Sequence, residues 1–246
     1  MNWFAQADFW SRFYDYMFPA ASFEQAAAQV DDIKKLTGIT SGTMLDLCCG
    51  PGRHSVPFTK AGFEVTGVDL QPFLLGKARA YATQEGVTIE FIEEDMRHFQ
   101  RVESFDLVLN MFSSFGYFSD PEDDFSVLEN AYDSLRSGGQ VLLDLRGKEI
   151  HAMRFAETIS SEMPNGDLVF QRTRNNDDWT RSITTWVYVH GDRADSFEIT
   201  INLYSGAGLR NLLSKAGFRN VRLYGDLKGS PYNHNASRLV ALAEKR

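Results

Sequence analysis

Cysteine is scarce. The 246 residues contain two, and they are neighbours, Cys48 and Cys49. Adjacent thiols cannot staple distant parts of a chain, and neither has companion ligands at zinc-like spacing. A disulfide framework and a cysteine-based metal site are therefore not expected, and a reducing cytoplasm is. No apolar run approaches the roughly 20 residues that a membrane-spanning helix needs. The opening stretch, MNWFAQADFWSRFYDYMFP, is aromatic and holds two acids. It lacks the basic start and smooth apolar core of a secretory leader. Positive charge is also short: 25 Lys and Arg against 33 Asp and Glu leave −8. Such a balance repels a phosphate backbone, so a nucleic-acid partner is not expected.

What is present is an ordinary globular composition, 43% hydrophobic and 24% charged. The length suits one domain over 1–246. Trp3, Trp10, Phe13, Tyr14 and Met17 recur at near-helical spacing, and Pro19 should end that segment. A second helix over about 22–36 follows. Residues 1–36 form either a helical lid or plain core packing. From residue 43 short apolar runs alternate with amphipathic segments: TMLDLC, EVTGVDL, TIEFIEED, FDLVLNMF and QVLLDLR read as strands with helices between. That rhythm predicts an α/β fold with a parallel sheet covered on both faces. The helix beginning SDPEDDF has Asp120 as N-cap, Pro121 at its first position and Gly138-Gly139 as its end. The cap explains the acids of DPEDD without a metal. After 150 the pattern changes to three strands joined by Asn, Asp and Gly turns, an antiparallel insertion over 151–204. Trp179 and Trp186 are expected to fill its core. A helix capped by Ser205 and two closing strands complete the chain.

The chemistry centres on MLDLCCGPGRHS, residues 44–55. A glycine turn after a strand usually cradles phosphate, yet Gly50-Pro51-Gly52-Arg53-His54-Ser55 lacks the third glycine of a dinucleotide loop. Asp46 would also repel a pyrophosphate. A cationic ligand without phosphate suits that acid, and S-adenosylmethionine, with its ammonium and sulfonium, is such a ligand. Asp69, closing the second strand, suits two ribose hydroxyls. That feature is shared with NAD, so a dinucleotide oxidoreductase stays open on these residues alone. Asp95-Met96 offers a carboxylate and a backbone amide to an adenine. Asn110, Met111 and Phe112 end the fourth strand, where an open α/β sheet builds its crevice.

LDLCCGPGRHS, VTGVDLQPFLLGKAR, EEDM and FDLVLNMFSSFGYF, in this order, resemble the class I S-adenosylmethionine-dependent methyltransferases. The resemblance covers about 40–146 and, less strongly, 205–244. SSFGYF, LLDLRGKE, the β insertion and YGDLKGSPYNHNASRLVALAEK resemble the small-molecule N- and O-methyltransferase branch. It implies a Rossmann-like seven-stranded, mostly parallel sheet flanked by helices, with a reversed hairpin at one edge and the antiparallel insertion as substrate lid. It implies that Asp46, Gly50 and Gly52 surround the methionine part of S-adenosylmethionine, Asp69 its ribose, and Asp95 and Met96 its adenine. Tyr14, Cys48, His54, Leu70, Asn110 and Phe112 complete the expected cofactor set. Cys48 departs from the pattern, standing where relatives have the turn's first glycine. NMFSSF lacks the prolines of base-modifying relatives.

The expected activity is methyl transfer to a nitrogen or oxygen of a small molecule. Alternatives are an RNA- or protein-modifying methyltransferase and a non-catalytic binding module. Phe115, Tyr117, Arg146 and Tyr204 are the expected catalytic pocket, with Tyr232 as a further member. His54 lies either beside the cofactor or on a helix surface. His151 stands out as a possible base, while His98, His190 and His234 have no assignment. Asp144 has no companion metal ligands, and no metal is expected. The expected partner is the methyl acceptor, with no nucleic acid and no membrane, in a monomer or homodimer.

Overall fold

The computed structural model describes residues 2–246. Strands β1 (Gly42–Leu47), β2 (Phe63–Asp69), β3 (Glu90–Glu93), β4 (Phe105–Asn110), β5 (Leu135–Leu145), β10 (Arg219–Tyr224) and β11 (Leu239–Glu244) form one sheet. Its order is β10-β11-β5-β4-β1-β2-β3. The first five strands are parallel, and β11 and β10 form the reversed edge hairpin. The chain runs outward from β1 through β2 to β3, then crosses back to β4 on the other side of β1. A crevice opens beyond the carboxyl ends of strands where the order reverses in this way. Each side of β1 and β4 is covered, so their strands are nearly continuous apolar runs with Leu45, Leu107, Val108 and Leu109 buried.

The helices are α1 (Ala7–Met17), α2 (Ala20–Thr37), α3 (Ser55–Lys60), α4 (Pro72–Gln84), α5 (Pro121–Ser134), α6 (Lys148–Met153) and α7 (Gly206–Lys215). Asp120 caps α5 by accepting from the Glu122 amide at 3.0 Å, and Ser205 caps α7 through the Gly208 amide. Both caps stand where the side chain satisfies an otherwise orphaned N–H.

Two boundaries differ from the sequence expectation. Helix α5 stops at Ser134, not at Gly138-Gly139. Leu135, fully buried, already pairs with Phe105 in β5, and the register then slips before Gln140. Gly138, at φ 80°, donates its amide to the Lys245 carbonyl within that irregular stretch. The insertion has four strands rather than three: β6 (Thr158–Glu162), β7 (Leu168–Asn175), β8 (Arg181–His190) and β9 (Arg193–Asn202), paired antiparallel in sequence order. Strand β6 is an edge strand, TISSE, almost wholly exposed. It carries no apolar alternation to betray it.

Helix α1 lies between the two sheets. Phe9 and Phe13 are completely buried and meet Trp186 and Phe197 of the insertion edge-on at 5.1–5.8 Å between ring centres. The Trp3 indole donates to the Thr200 carbonyl at 3.2 Å, and the Gln71 amide donates to the Phe4 carbonyl at 2.6 Å. The N-terminal aromatics are thus core for the insertion and, on their other side, wall of the cavity described next.

Candidate active site

One cavity of about 300 Å³ opens at the switch point and runs on beneath the insertion. Its first half is made by the loops after β1, β2 and β3. Asp46, 2% exposed, accepts from the Ser55 hydroxyl at 2.5 Å. Asp69 accepts from the Gly50 amide at 2.8 Å through one carboxylate oxygen and from the Gln71 amide at 2.9 Å through the other. Burial pushes both carboxyls up, each to about 6, against the pull of these hydrogen bonds and, for Asp46, of Arg53.

Arg53 is also buried and lines this half. Its guanidinium rests 4.5 Å from the centre of the Phe112 ring and donates one long hydrogen bond, 3.4 Å, to the Ser22 carbonyl. Among the described residues no carboxylate pairs with it. Burial lowers its pKa despite the attraction of Asp144 and Asp46. His54, deeper in the wall, shares a 2.9 Å hydrogen bond with the Gln29 carboxamide. Burial and the charge of Arg53 lower it to about 3, so it is neutral. Leu70, Asp95 and Met96 close the far end. Burial raises the Asp95 carboxyl, but the hydrogen bonds and charge of Arg97, 2.7 Å away, win and hold it below its ordinary value.

Cys48 is bent into the left-handed region, φ 62°. That is the physical reason a glycine suits the position. Its sulfur touches the Met96 sulfur at 3.3 Å. Cys49 is buried under the turn, against the space beside Gly67.

The loop after β4 is strained in the same sense over two consecutive residues, Phe112 at φ 62° and Ser113 at φ 64°. Asp144 holds it: the Phe112 amide donates to the Asp144 carboxylate at 3.2 Å and the Ser113 amide to the Asp144 carbonyl at 2.8 Å. Arg238, on the return from β10 to β11, pairs with that carboxylate at 2.6 Å and also donates to the Ser113 hydroxyl. Strain of this kind persists only where surrounding contacts over-determine it. Asp144 therefore shapes the cavity rim. Among the described residues no three His, Cys, Asp or Glu side chains gather to hold a metal.

The second half of the cavity lies under the insertion, lined by Gln171, Thr173, Ser182, Thr184, Trp186 and Ile199, with Phe115, Tyr117, Arg146, His151 and Tyr204 at its base. Arg146 donates to the Arg154 carbonyl and has no carboxylate partner among the described residues. Tyr117 is packed between Trp3, at 4.7 Å, and Phe4. Burial drives its hydroxyl pKa far up.

Several expected site residues stand elsewhere. Tyr14 is not in the cavity wall; its ring packs on Phe18, Phe73 and the Lys77 ammonium, against α4. Gly52, at φ 78°, serves packing instead, because a Cβ there would come within 3.2 Å of Ala78 on α4. Asn110 is buried behind the wall and donates to the Leu47 carbonyl at 3.2 Å. Tyr204 lines the cavity with its ring, but its hydroxyl donates to Asp124 at 2.6 Å, which with burial raises its pKa strongly. It is not free to act as a base. Tyr232 donates to Glu149 and packs against Gly147 and Gly206, away from the cavity. Trp186, expected as insertion core, faces the cavity as well.

Residues 44–139 match the family model described as a methyltransferase domain. The chain is 35% identical over 102 residues to a methyltransferase-named protein of Geobacillus sp. (strain WCH70), a stretch that covers 42% of this chain and 41% of that one. Along 87% of the chain it is 26% identical to the glycine/sarcosine N-methyltransferase of Aphanothece halophytica, 80% of which is covered. The CcbJ methyltransferase of Streptomyces caelestis superposes with a TM-score of 0.81 over 100% of this chain and 98% of that one, at 16% identity. The chain thus shares its whole fold, insertion included, with that structure.

The motif pointed to the acids and the glycine turn. It did not single out Arg53, although Arg53 follows Gly52 directly, nor Phe4, Trp10, Phe18 and Gln71, which complete the wall. The signal for Phe4, Trp10 and Phe18 was the aromatic N-terminus, while Arg53 and Gln71 stand inside the quoted motifs without a role.

Proposed function

We propose that this protein transfers the methyl group of S-adenosylmethionine to a nitrogen or oxygen of a small polar molecule in the cytoplasm. The observation that carries this reading is the single cavity, cofactor-like at one end and closed at the other by a sheet lined with hydroxyls, an amide and aromatics. The residues present fit the donor. Asp46 would take its ammonium, and Arg53, buried without an acid partner, its carboxylate. Asp69 would accept from the ribose hydroxyls with the lone pairs that Gly50 and Gln71 leave, and Leu70, Asp95 and Met96 would hold the adenine. The donor supplies an electrophilic methyl on a sulfonium. The chain's part is to bring the acceptor's lone pair in line with it and to exclude water, which alone offers about 7–11 kcal/mol at best. Phe115 and Tyr117 lie at the junction of the two halves. Arg146 suits an anionic group on the acceptor, a class to which the substrates of the glycine/sarcosine relative belong.

Incubation with methyl-labelled S-adenosylmethionine and a panel of amino acids, amino sugars and small phenols tests the proposal. Label in a panel compound is the expected result. Label appearing only in added RNA or protein would overturn it.

A further inference from the structure

The acceptor half of the cavity contains one side chain suited to removing a proton, and it is neither a tyrosine nor an acid. His151 sits on α6, directly after the β5 end that carries Arg146. It is 5% exposed and lines the cavity, with its ring held between Phe155 and Trp179 at 5.7 and 6.2 Å. Its Nε2 lies 2.9 Å from the Asn175 carboxamide oxygen at the end of β7. A carboxamide oxygen only accepts, so Nε2 carries the proton and Nδ1 is left with the lone pair. Nδ1 has no hydrogen-bond partner among the described residues.

We propose that His151 is the general base of the acceptor site, with Asn175 as the positioning residue that fixes its tautomer. This rests on the methyl-transfer reading above. It implies an acceptor whose reacting atom arrives with a proton to lose, a hydroxyl or an ammonium. An ammonium first gives one proton to Nδ1, which frees its lone pair, whereas a hydroxyl gives its proton to Nδ1 as it attacks. The lone pair forms the bond to the methyl carbon while the carbon–sulfur bond breaks and its electron pair stays on sulfur, and the imidazolium later releases the proton to water.

The other candidates are occupied. Tyr204 donates to Asp124, and Asp46 and Asp69 belong to the opposite end of the cavity. The charged groups around the ring are Arg146 beside it, Lys148, Glu149 and Arg154 on and after its own helix, and Asp177 and Asp178 in the β7–β8 turn. Glu149 is turned to Gly206 and Tyr232, and Lys148 donates to the Asp178 carbonyl. None of these acids hydrogen-bonds the imidazole. Burial, then Arg146, outweigh the Asn175 hydrogen bond and keep the ring neutral at pH 7.

The test has two arms. Nitrogen-15 NMR of the full chain saturated with S-adenosylhomocysteine reads the tautomer directly. The expected spectrum shows protonated Nε2, bare Nδ1 and a midpoint below 6.5, which Asn175→Asp raises by about one pH unit or more. A protonated Nδ1 at neutral pH would overturn the proposal whatever the acceptor is. In the second arm, methyl transfer to the panel compound with the highest turnover is followed against pH. His151→Gln should lower kcat by about 100-fold or more and abolish the acid limb, and Asn175→Asp should move that limb up. Calorimetry with S-adenosylmethionine checks that both variants are folded and still bind. A kcat within about threefold of the parent in His151→Gln would sink the idea. Failure of the parent to bind S-adenosylmethionine would instead strike the methyl-transfer reading, and the spectrum would still decide the base.

Discussion

The Gly50 amide donates to the Asp69 carboxylate at 2.8 Å, so the acid that ends β2 holds the turn that ends β1. Asp69 is therefore a structural brace as well as the ribose ligand proposed above. It sets the shape of the loop proposed to carry the donor's methionine end. Its other oxygen fastens Gln71, whose side chain in turn fixes Phe4.

Replacing Asp69 by Ala should be more damaging than loss of one ligand contact. Two buried N–H groups would lose their acceptor. Affinity for S-adenosylmethionine should fall by at least about 100-fold, given roughly 1.5–3 kcal/mol for each hydrogen bond to a charge. Calorimetry measures it. Unchanged affinity would remove Asp69 from the binding site.

Asp46 and Asp69 titrate near 6 because burial disfavours their charge. The donor's ammonium favours ionised Asp46, and hydrogen bonds from the ribose hydroxyls favour ionised Asp69. Affinity should hold steady above pH 6 and fall below it, by about tenfold per group at pH 5. A profile flat from pH 7 to 5 would contradict binding of the donor's ammonium by ionised Asp46 and of its ribose hydroxyls by ionised Asp69.

The same shift has the opposite sign for folding. A carboxyl raised above its unfolded value lends stability at low pH and loses it as pH rises through about 6. At pH 7 the free protein carries the cost of a buried charge at Asp46. Asp46→Asn can keep the Ser55 hydrogen bond without that charge, so it should stabilise the ligand-free protein by about 1–3 kcal/mol at pH 7. It should bring no gain at pH 4. The melting temperature should rise by about 2–4 °C per kcal/mol, while affinity for S-adenosylmethionine falls. A lowered melting temperature at pH 7 would refute this balance.

Cys48 holds a left-handed conformation with a side chain that is small but present. Cys48→Gly relieves that strain, about 1–2 kcal/mol, yet loosens the unfolded chain by about 0.5–1 kcal/mol and forfeits the contact with Met96. The net change in stability should stay within about 1 kcal/mol. Cys48→Val, β-branched at the same φ, should destabilise by about 2 kcal/mol or more. Thermal unfolding separates the two, and equal midpoints would show that the backbone there can relax.

Much of the fold was legible because the central stretches of β1, β2, β4 and β5 are buried on both faces and therefore largely apolar. Strand β6 was not legible, since an exposed edge strand need not alternate. Asp46, Gly50 and Asp69 could be placed because local chain geometry brings consecutive strand ends together. Gly52 and Asn110 sit in the same motifs but point to packing partners, Ala78 and Leu47, that only the folded sheet supplies. Tyr14 could not be separated from Trp10 by spacing alone. One turn of helix α1 faces the cavity and another faces α4. Asp144 had no assigned role, because the partner that explains it, Arg238, lies 94 residues away in the chain.

The two halves of the cavity come from different stretches of the chain. The donor half is built by loops within 46–113, while the roof of the acceptor half is built by 151–204. The roof is pinned at its last strand, where Asn202 donates to Asp124 and its amide to the Gly116 carbonyl. Side chains at Thr173, Ser182 and Thr184 can therefore be exchanged without disturbing the residues around Asp46 and Asp69. A lineage built on this plan can change what it methylates by drift in one short segment while the chemistry of the donor stays fixed.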